Sequence, residues 1–364
     1  MVAPRSPLPS WTVVLPVFGV LTLVLTWARD LGPVLVGVVA VVLAGVVLAA
    51  VHHAEVVAHR VGEPFGSLVL AVAVTVIEVA LIVTLTVSGG PESGSLARDT
   101  VFAAVMISTT GIVGVSLLVG ARRYGVVLFN AEGSGAALAT VTTLATLSLV
   151  LPTFTTSQSG PEFSPGQLTF AALASLALYG TFVMTQTVRH RDFFLPVEQG
   201  DDLDGDGHAD PPSTAVALRG VGLLMLSLVA VVGLAKVESP AIEAGVAAAG
   251  FPPSFVGVVI ALLVLLPETL AAVRAAHRGR IQISLNLAYG SALASIGLTI
   301  PTIALASIWL DGPLLLGLGP TQLVLLALTV VVSVLTVVPG RATRLQGGVH
   351  LALLAAFLFL AINP

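Results

Sequence analysis

The chain has 364 residues, of which 56% are hydrophobic and 9% charged, with 15 Lys+Arg against 19 Asp+Glu and no cysteine. Soluble domains carry roughly 25% charged residues, so this composition excludes an ordinary soluble enzyme, a nucleic-acid binder and a disordered chain. The absence of cysteine excludes a disulfide scaffold and a thiolate-ligated zinc site. A mean hydropathy of +1.04 leaves one fold class, an all-α polytopic membrane protein.

A hydrocarbon core of about 30 Å takes roughly 20 apolar residues per helix. Runs of that kind are predicted at residues 11–28, 33–54, 66–88, 100–120, 134–152, 166–188, 216–236, 254–274, 283–309, 313–337 and 346–362, about 11 transmembrane helices in all. Gly32-Pro33, Gly62-Glu63-Pro64, Gly89-Gly90-Pro91, Pro252-Pro253 and Gly312-Pro313 separate them with residues that favour turns and helix starts. No alternation of apolar and polar residues suggests a membrane β-barrel. The first run follows a short stretch with Arg5 and is too long for a signal peptide, so it is read as a helix. Eleven spans place twelve of the fifteen basic residues on one side and only Arg29, Arg98 and Lys236 on the other. The positive-inside rule then puts the N-terminus in the cytoplasm and the C-terminus outside, in what is expected to be a bacterial cytoplasmic membrane.

A shift of 190 residues lays the third predicted helix on the eighth: Phe65 falls on Phe255, Val69 on Val259, Val83 on Val273 and Glu78 on Glu268. Helices five apart cross in opposite directions, so the pattern is that of an inverted repeat. The expected organisation is an N-terminal helix (1–32), a first five-helix repeat (33–188), a cytoplasmic acidic linker (189–215) and a second five-helix repeat (216–364).

Glu78 and Glu268 both lie deep in apolar sequence, where a charged side chain costs about 2.5–3.5 kcal/mol. A structural role would be that of a neutral acid hydrogen-bonded between helices. The functional reading is a cation site with one carboxylate from each half, meeting near the midplane. Burial and a neighbouring carboxylate both disfavour the charged form, and a bound cation favours it. The pair therefore accepts either protons or a cation, which with rocking of the halves is proton-coupled exchange. With oxygen donors only, a hard cation such as Ca²⁺ fits, and Na⁺ or K⁺ stays open. Ser108, Thr109 and Ser291, in small-residue stretches after each glutamate, are further candidate ligands or close-packing residues, as are Thr75 and Asn286. Pro267 beside Glu268 weakens the helix locally.

Three further polar features stand out. Asp202, Asp204 and Asp206 with Gly207 reproduce the start of a calcium loop, and Asp210 falls on its ninth position. Ser213 stands at the twelfth and Pro211-Pro212 blocks a following helix, so the stretch reads as a solvated acidic linker or a regulatory cation loop. His53, Glu55, His59 and Glu63 near the end of the second helix, with Glu243 in the second half, are candidates for a gate or proton path, or are interfacial residues.

At these residues the sequence resembles the calcium/cation antiporter superfamily, in its bacterial calcium/proton antiporter branch. The resemblance lies in Gly62-Glu63-Pro64-Phe65-Gly66 through Val76-Ile77-Glu78-Val79-Ala80-Leu81-Ile82, in Arg98-Asp99-Thr100-Val101, and in Phe129-Asn130. It continues in His190-Arg191-Asp192-Phe193-Phe194-Leu195, in Leu265-Leu266-Pro267-Glu268, and from Ser284-Leu285-Asn286-Leu287-Ala288 through Gly290 to Pro301. It implies an eleven-helix, two-repeat fold, cation/proton antiport, and Glu78 and Glu268 as the central acidic ligands. Thr75 and Leu265 stand where vacuolar-type relatives carry the Asn of Gly-Asn-x-x-Glu. The expected activity is alternating-access exchange of Ca²⁺ for protons, with Na⁺/H⁺ or K⁺/H⁺ exchange as the alternative. No catalytic motif marks an enzyme and no cofactor is implied. The expected partners are lipid, inorganic cations and protons, not nucleic acid, and a homo-oligomer is compatible with the sequence.

Overall fold

The computed structural model describes residues 10–29, 31–61, 73, 75–84, 94–197, 212–309 and 313–364. They form eleven helices: α1 (Ser10–Thr26), α2 (Pro33–Val61), α3 (Thr75–Thr84), α4 (Leu96–Tyr124), α5 (Ala131–Thr153), α6 (Pro165–Arg189), α7 (Thr214–Ala248), α8 (Phe255–His277), α9 (Ile281–Ala306), α10 (Pro320–Val337) and α11 (Arg344–Ile362). Among the described residues nine of these are long and apolar enough to cross a membrane, and α1 and α3 are shorter apolar helices. Each predicted apolar run contains one helix, and the all-α polytopic membrane class holds.

The bounds differ from expectation at three places, each for a local reason. The second helix runs on to Val61, so His52, His53, Glu55 and His59 are helical rather than terminal. The seventh continues through Pro240 to Ala248. The tenth begins at Pro320, not near residue 313. The apolar residues before it are extended: Leu315 bridges Glu162, and the N–H groups of Leu315, Gly317 and Leu318 donate to the carbonyls of Gly94, Pro161 and Leu149. Leu316 and Leu318 are buried there although they are not helical. Gly319 and Pro320 then start α10, with the Gln322 side chain accepting from the Gly319 N–H at 2.9 Å.

The chain divides into two compact units, and each draws on both halves of the sequence. The first comprises Met1–Ser88 and Asp204–Ile242, hence α1, α2, α3 and most of α7. Here α1 packs on α2, and Gly19 permits the approach: a Cβ at Gly19 would stand 2.6 Å from Val46 and 3.2 Å from Ala230. Lipid offers the backbone and hydroxyls no water, and Thr22 and Thr26 donate to the carbonyls of Phe18 and Thr22 at 2.8 Å in their own helix. The Lys236 ammonium lies 5.3 Å from the Trp27 ring centre, a cation–π contact.

The second unit comprises Gly89–Leu203 and Glu243–Pro364. Its centre is α4, buried at nearly every position, which packs against α8, α9 and α11; α9 also packs against α5, α6 and α8. Tyr289, Phe102, Met106 and Ile112 are among its largest fully buried side chains. The middle of α4 is a π turn, Ile107–Ile112, within otherwise α-helical geometry. A short antiparallel ribbon, Val127–Leu128 with Arg341–Ala342, ties the loop after α4 to the loop before α11.

The α4–α11 crossing depends on Gly347. A Cβ there would stand 2.7 Å from the Leu118 nitrogen and 2.9 Å from the Gly114 carbonyl oxygen, whereas a Cβ at neighbouring Gly348 would meet nothing within 4 Å. Gly347→Val is therefore expected to lower the unfolding temperature in detergent by several degrees, and Gly348→Val to leave it nearly unchanged; thermal unfolding of the two variants measures the contrast.

Candidate functional site

In the first unit Glu78 stands on α3 among Ile77, Leu81 and Ile82 and is 2% exposed. Thr75, one turn earlier, is buried as well, while Val76 between them is exposed, so one face of the helix carries both polar residues inward. His53 on α2 is fully buried and its Nε2 lies 2.8 Å from the carbonyl of Thr12 on α1. Glu55 and His59 are on the exposed face of α2, and Arg60 donates to the Thr214 hydroxyl at 2.9 Å. Glu63 and the acidic residues Asp202, Asp204, Asp206 and Asp210 lie outside the described residues.

In the second unit Glu268 is 8% exposed on α8, directly after Pro267. Proline has no N–H, so the carbonyl of Leu263, one turn earlier, loses its helical partner. The π turn of α4 packs against both α8 and α9. It carries Ser108 and Thr109, both buried. Thr109 donates to the Val105 carbonyl at 2.7 Å, and Thr110 donates to the carbonyl of Met106. The hydroxyl of Ser108 has no hydrogen-bond partner among the described residues, and the same holds for Tyr289 and Thr299 on α9. Ser291 is half-buried on α9, and Ser295 is buried one turn further on. A buried carboxylate, a carbonyl released by a proline and hydroxyls on packed helices can bind a dehydrated cation or a proton. Glu243 is exposed at the end of α7.

Asn286 belongs to a different constellation. Its amide donates to the Phe194 carbonyl at 2.7 Å, and its oxygen accepts from Gln282 at 2.9 Å. The Gln282 oxygen accepts from the Asn130 N–H at 2.7 Å, and the Asn130 side chain caps α5 by accepting from the N–H groups of Glu132 and Gly133. This network ties the start of α9 to the start of α5 and to the turn at Arg191–Phe194.

A family model of sodium/calcium exchanger proteins matches residues 10–188 and 219–363. The chain belongs to this family. Over 363 residues, 98% of this chain and 97% of the other, it is 46% identical to the protein y4hA of Sinorhizobium fredii (strain NBRC 101917 / NGR234). Over 350 residues, 95% of this chain and 94% of the other, it is 35% identical to the sodium-potassium/proton antiporter ChaA of Escherichia coli (strain K12). Its fold superposes on the solved structure of native YfkE with a TM-score of 0.70 at 16% identity, covering 97% of this chain and 98% of that one. The family resemblance carried by the glutamate motifs is thus the right one, and the exchanger fold is an integral membrane fold.

Two further polar groups of this exchanger were given no site role in the sequence. Asp99, buried near the start of α4, pairs with Arg98 at 2.8 Å, accepts from Ser95 at 2.9 Å, and lines a cavity of about 200 Å³ with Phe102, Ser254, Val258, Gln322 and Phe357. Arg98 also donates to the Gly317 carbonyl at 3.2 Å. The adjacent opposite charges at a helix start were the available signal. His350 is the second, a lone imidazole in the second turn of apolar α11, fully buried.

The Gln282 network generates a prediction. Gln282→Ala takes a buried partner from Asn130 and from Asn286 and is expected to destabilise the fold by about 1–3 kcal/mol. Thermal unfolding in detergent measures it, and an unchanged midpoint would show that the network contributes nothing.

Proposed function

We propose that the chain is a secondary active antiporter that exchanges an inorganic cation for protons, with Glu78 and Glu268 as the groups that bind either one. The observation that carries this reading is the burial of two carboxylates, Glu78 and Glu268, in a membrane protein of the exchanger family; a shift of 190 residues in the sequence lays one on the other. Each is an acid that the bilayer holds neutral unless a cation offsets its charge. Together they offer two negative charges, which match two protons or one Ca²⁺. Thr75 beside Glu78, and Ser108, Thr109 and Ser291 in the unit that holds Glu268, supply neutral oxygens for the ion's remaining shell. Oxygen donors select a hard cation.

Ca²⁺ is the cation favoured by the charge match. Na⁺ or K⁺ is the second reading, supported by the Escherichia coli relative that is 35% identical and named as a sodium-potassium/proton antiporter. The inverted repeat supplies the machinery for alternating access: a helix over 1–32, five helices over 33–188, a linker over 189–215 and five helices over 216–364, with the basic residues and N-terminus in the cytoplasm.

Proteoliposomes loaded with a pH-sensitive dye test the reading. Addition of Ca²⁺, Na⁺ or K⁺ in turn is expected to drive proton movement, and the ion that does so at the lowest concentration is the substrate. Glu78→Gln and Glu268→Gln should each abolish that flux, since an amide can release no proton. Wild-type flux in both variants would overturn the two-carboxylate mechanism.

A further inference from the structure

The π turn of α4 has a partner on another helix. His350 stands in the second turn of α11 with no exposed surface. Its Nδ1 lies 3.0 Å from the carbonyl of Thr109 in the π turn, and its Nε2 lies 3.1 Å from the hydroxyl of Thr336 on α10. A carbonyl can only accept, so Nδ1 carries the hydrogen and, in the neutral ring, Nε2 offers a lone pair to Thr336. The single hydrogen of that hydroxyl is shared between Nε2 and the Val332 carbonyl, 2.9 Å away in its own helix. The ring therefore reaches two helices, held at Nδ1 by the Thr109 carbonyl and resting at Nε2 against the Thr336 hydroxyl.

The backbone is built to let the ring reach this place. A Cβ at Gly114, just past the π turn, would stand 3.0 Å from the His350 Cβ and 3.1 Å from the Gly347 carbonyl oxygen. Gly347 is as tightly placed against Leu118, so α4 and α11 touch backbone to backbone one turn from the imidazole.

Charge does not explain the arrangement. α10 carries no titratable side chain, and those of α4 are at its ends, at Arg98, Asp99, Arg122, Arg123 and Tyr124. Arg344, earlier on α11, donates to the carbonyls of Ala121 and Arg122. α8, which also touches α11, carries Glu268, Arg274 and His277. Among the described residues the hydrogen-bond partners of His350 are neutral: one carbonyl and one hydroxyl. π turns are frequent at functional sites; α5 and α6 contain others, at Thr146–Val150 and Thr185–Arg189, but this one lies at the centre of the buried helix α4. This one holds Ser108, fully buried and without a hydrogen-bond partner among the described residues.

We propose that His350 is a positioning residue of the exchanger: by holding the Thr109 carbonyl from α11 it sets the shape of the π turn, and so places Ser108 and Thr109 for the cation. The inference rests on the proposed use of these hydroxyls together with Glu268. It predicts that loss of the Nδ1–H bond weakens cation binding while leaving the transport cycle intact.

The test is the concentration dependence of proton flux in proteoliposomes, with Ca²⁺, Na⁺ and K⁺ each titrated. His350→Leu is expected to raise the half-saturating concentration of the driving ion roughly threefold to tenfold, the worth of one hydrogen bond, with maximal flux within about twofold of wild type. His350→Asn, whose side-chain amide can take the place of Nδ1–H, is expected to restore half-saturation to within about twofold. An unchanged half-saturation in His350→Leu overturns the proposal, and so does an Asn variant as impaired as the Leu variant. Should the Leu variant not reach the bilayer, Thr336→Val removes the other ring partner at nearly the same volume and must shift half-saturation upward; no shift overturns the proposal. Glu268→Gln in the same vesicles separates the two levels. Loss of its flux alongside an unmoved His350→Leu overturns the positioning role alone, and wild-type flux in Glu268→Gln overturns the reading of the site beneath it.

Discussion

A polar group inside a bilayer has no water to turn to, and many buried polar groups among the described residues answer that constraint with bonds inside the protein. Threonines meet it locally by donating back to their own helix, as Thr22, Thr26, Thr109 and Thr269 do. Gln282, Asn286 and Asn130 meet it as a group, closing a chain of bonds that joins three segments. His350 meets it across two helices. A carboxylate is the hardest group to accommodate in this solvent, because its charge cannot be satisfied by neutral donors at an acceptable cost. It must be protonated or neutralised by a cation, and that choice is what an exchanger turns into work.

The helices around Glu268 depart from uniform α-helical geometry. Pro267 removes one backbone hydrogen bond from α8 immediately before Glu268, and the π turn widens α4 at Ser108 and Thr109. Both deviations sit on helices that pack together with α9 in one compact unit. Backbone irregularity at membrane depth is tolerated only where protein or a cavity surrounds it, and α4 is surrounded on every side. Small residues make the surrounding possible: Gly114 and Gly347 allow α11 to touch α4, and Gly19 does the same for α1 and α2.

Much of this was legible in the sequence, and for identifiable reasons. Twenty apolar residues between Pro/Gly breakers admit few structures in lipid, so the helix count and class followed from hydropathy. Glu78 and Glu268 were legible because a charge in an apolar run is conspicuous. Hydropathy could not distinguish a helix from a buried extended strand at Leu314–Leu318, where the bonds that hold the chain come from Gly94, Pro161 and Leu149. Nor could it show a π turn, since Ile107–Ile112 reads like any other helical stretch. The partner of Asn286, Phe194, is 92 residues away, and His350 went unnoticed because Thr109 is 241 residues away. Long-range partners are what a linear reading lacks. The acidic stretch and Glu63 lie outside the described residues, and their reading stands where the sequence left it.

The central claim is that the same two carboxylates hold protons when the cation is absent and release them when it binds. Purified protein in detergent and weak buffer, titrated with Ca²⁺ and separately with Na⁺ and K⁺ while the pH is recorded, measures this directly. The account predicts proton release that saturates with the bound cation and falls when either glutamate is replaced by glutamine. Saturable cation binding with no release of protons would contradict it.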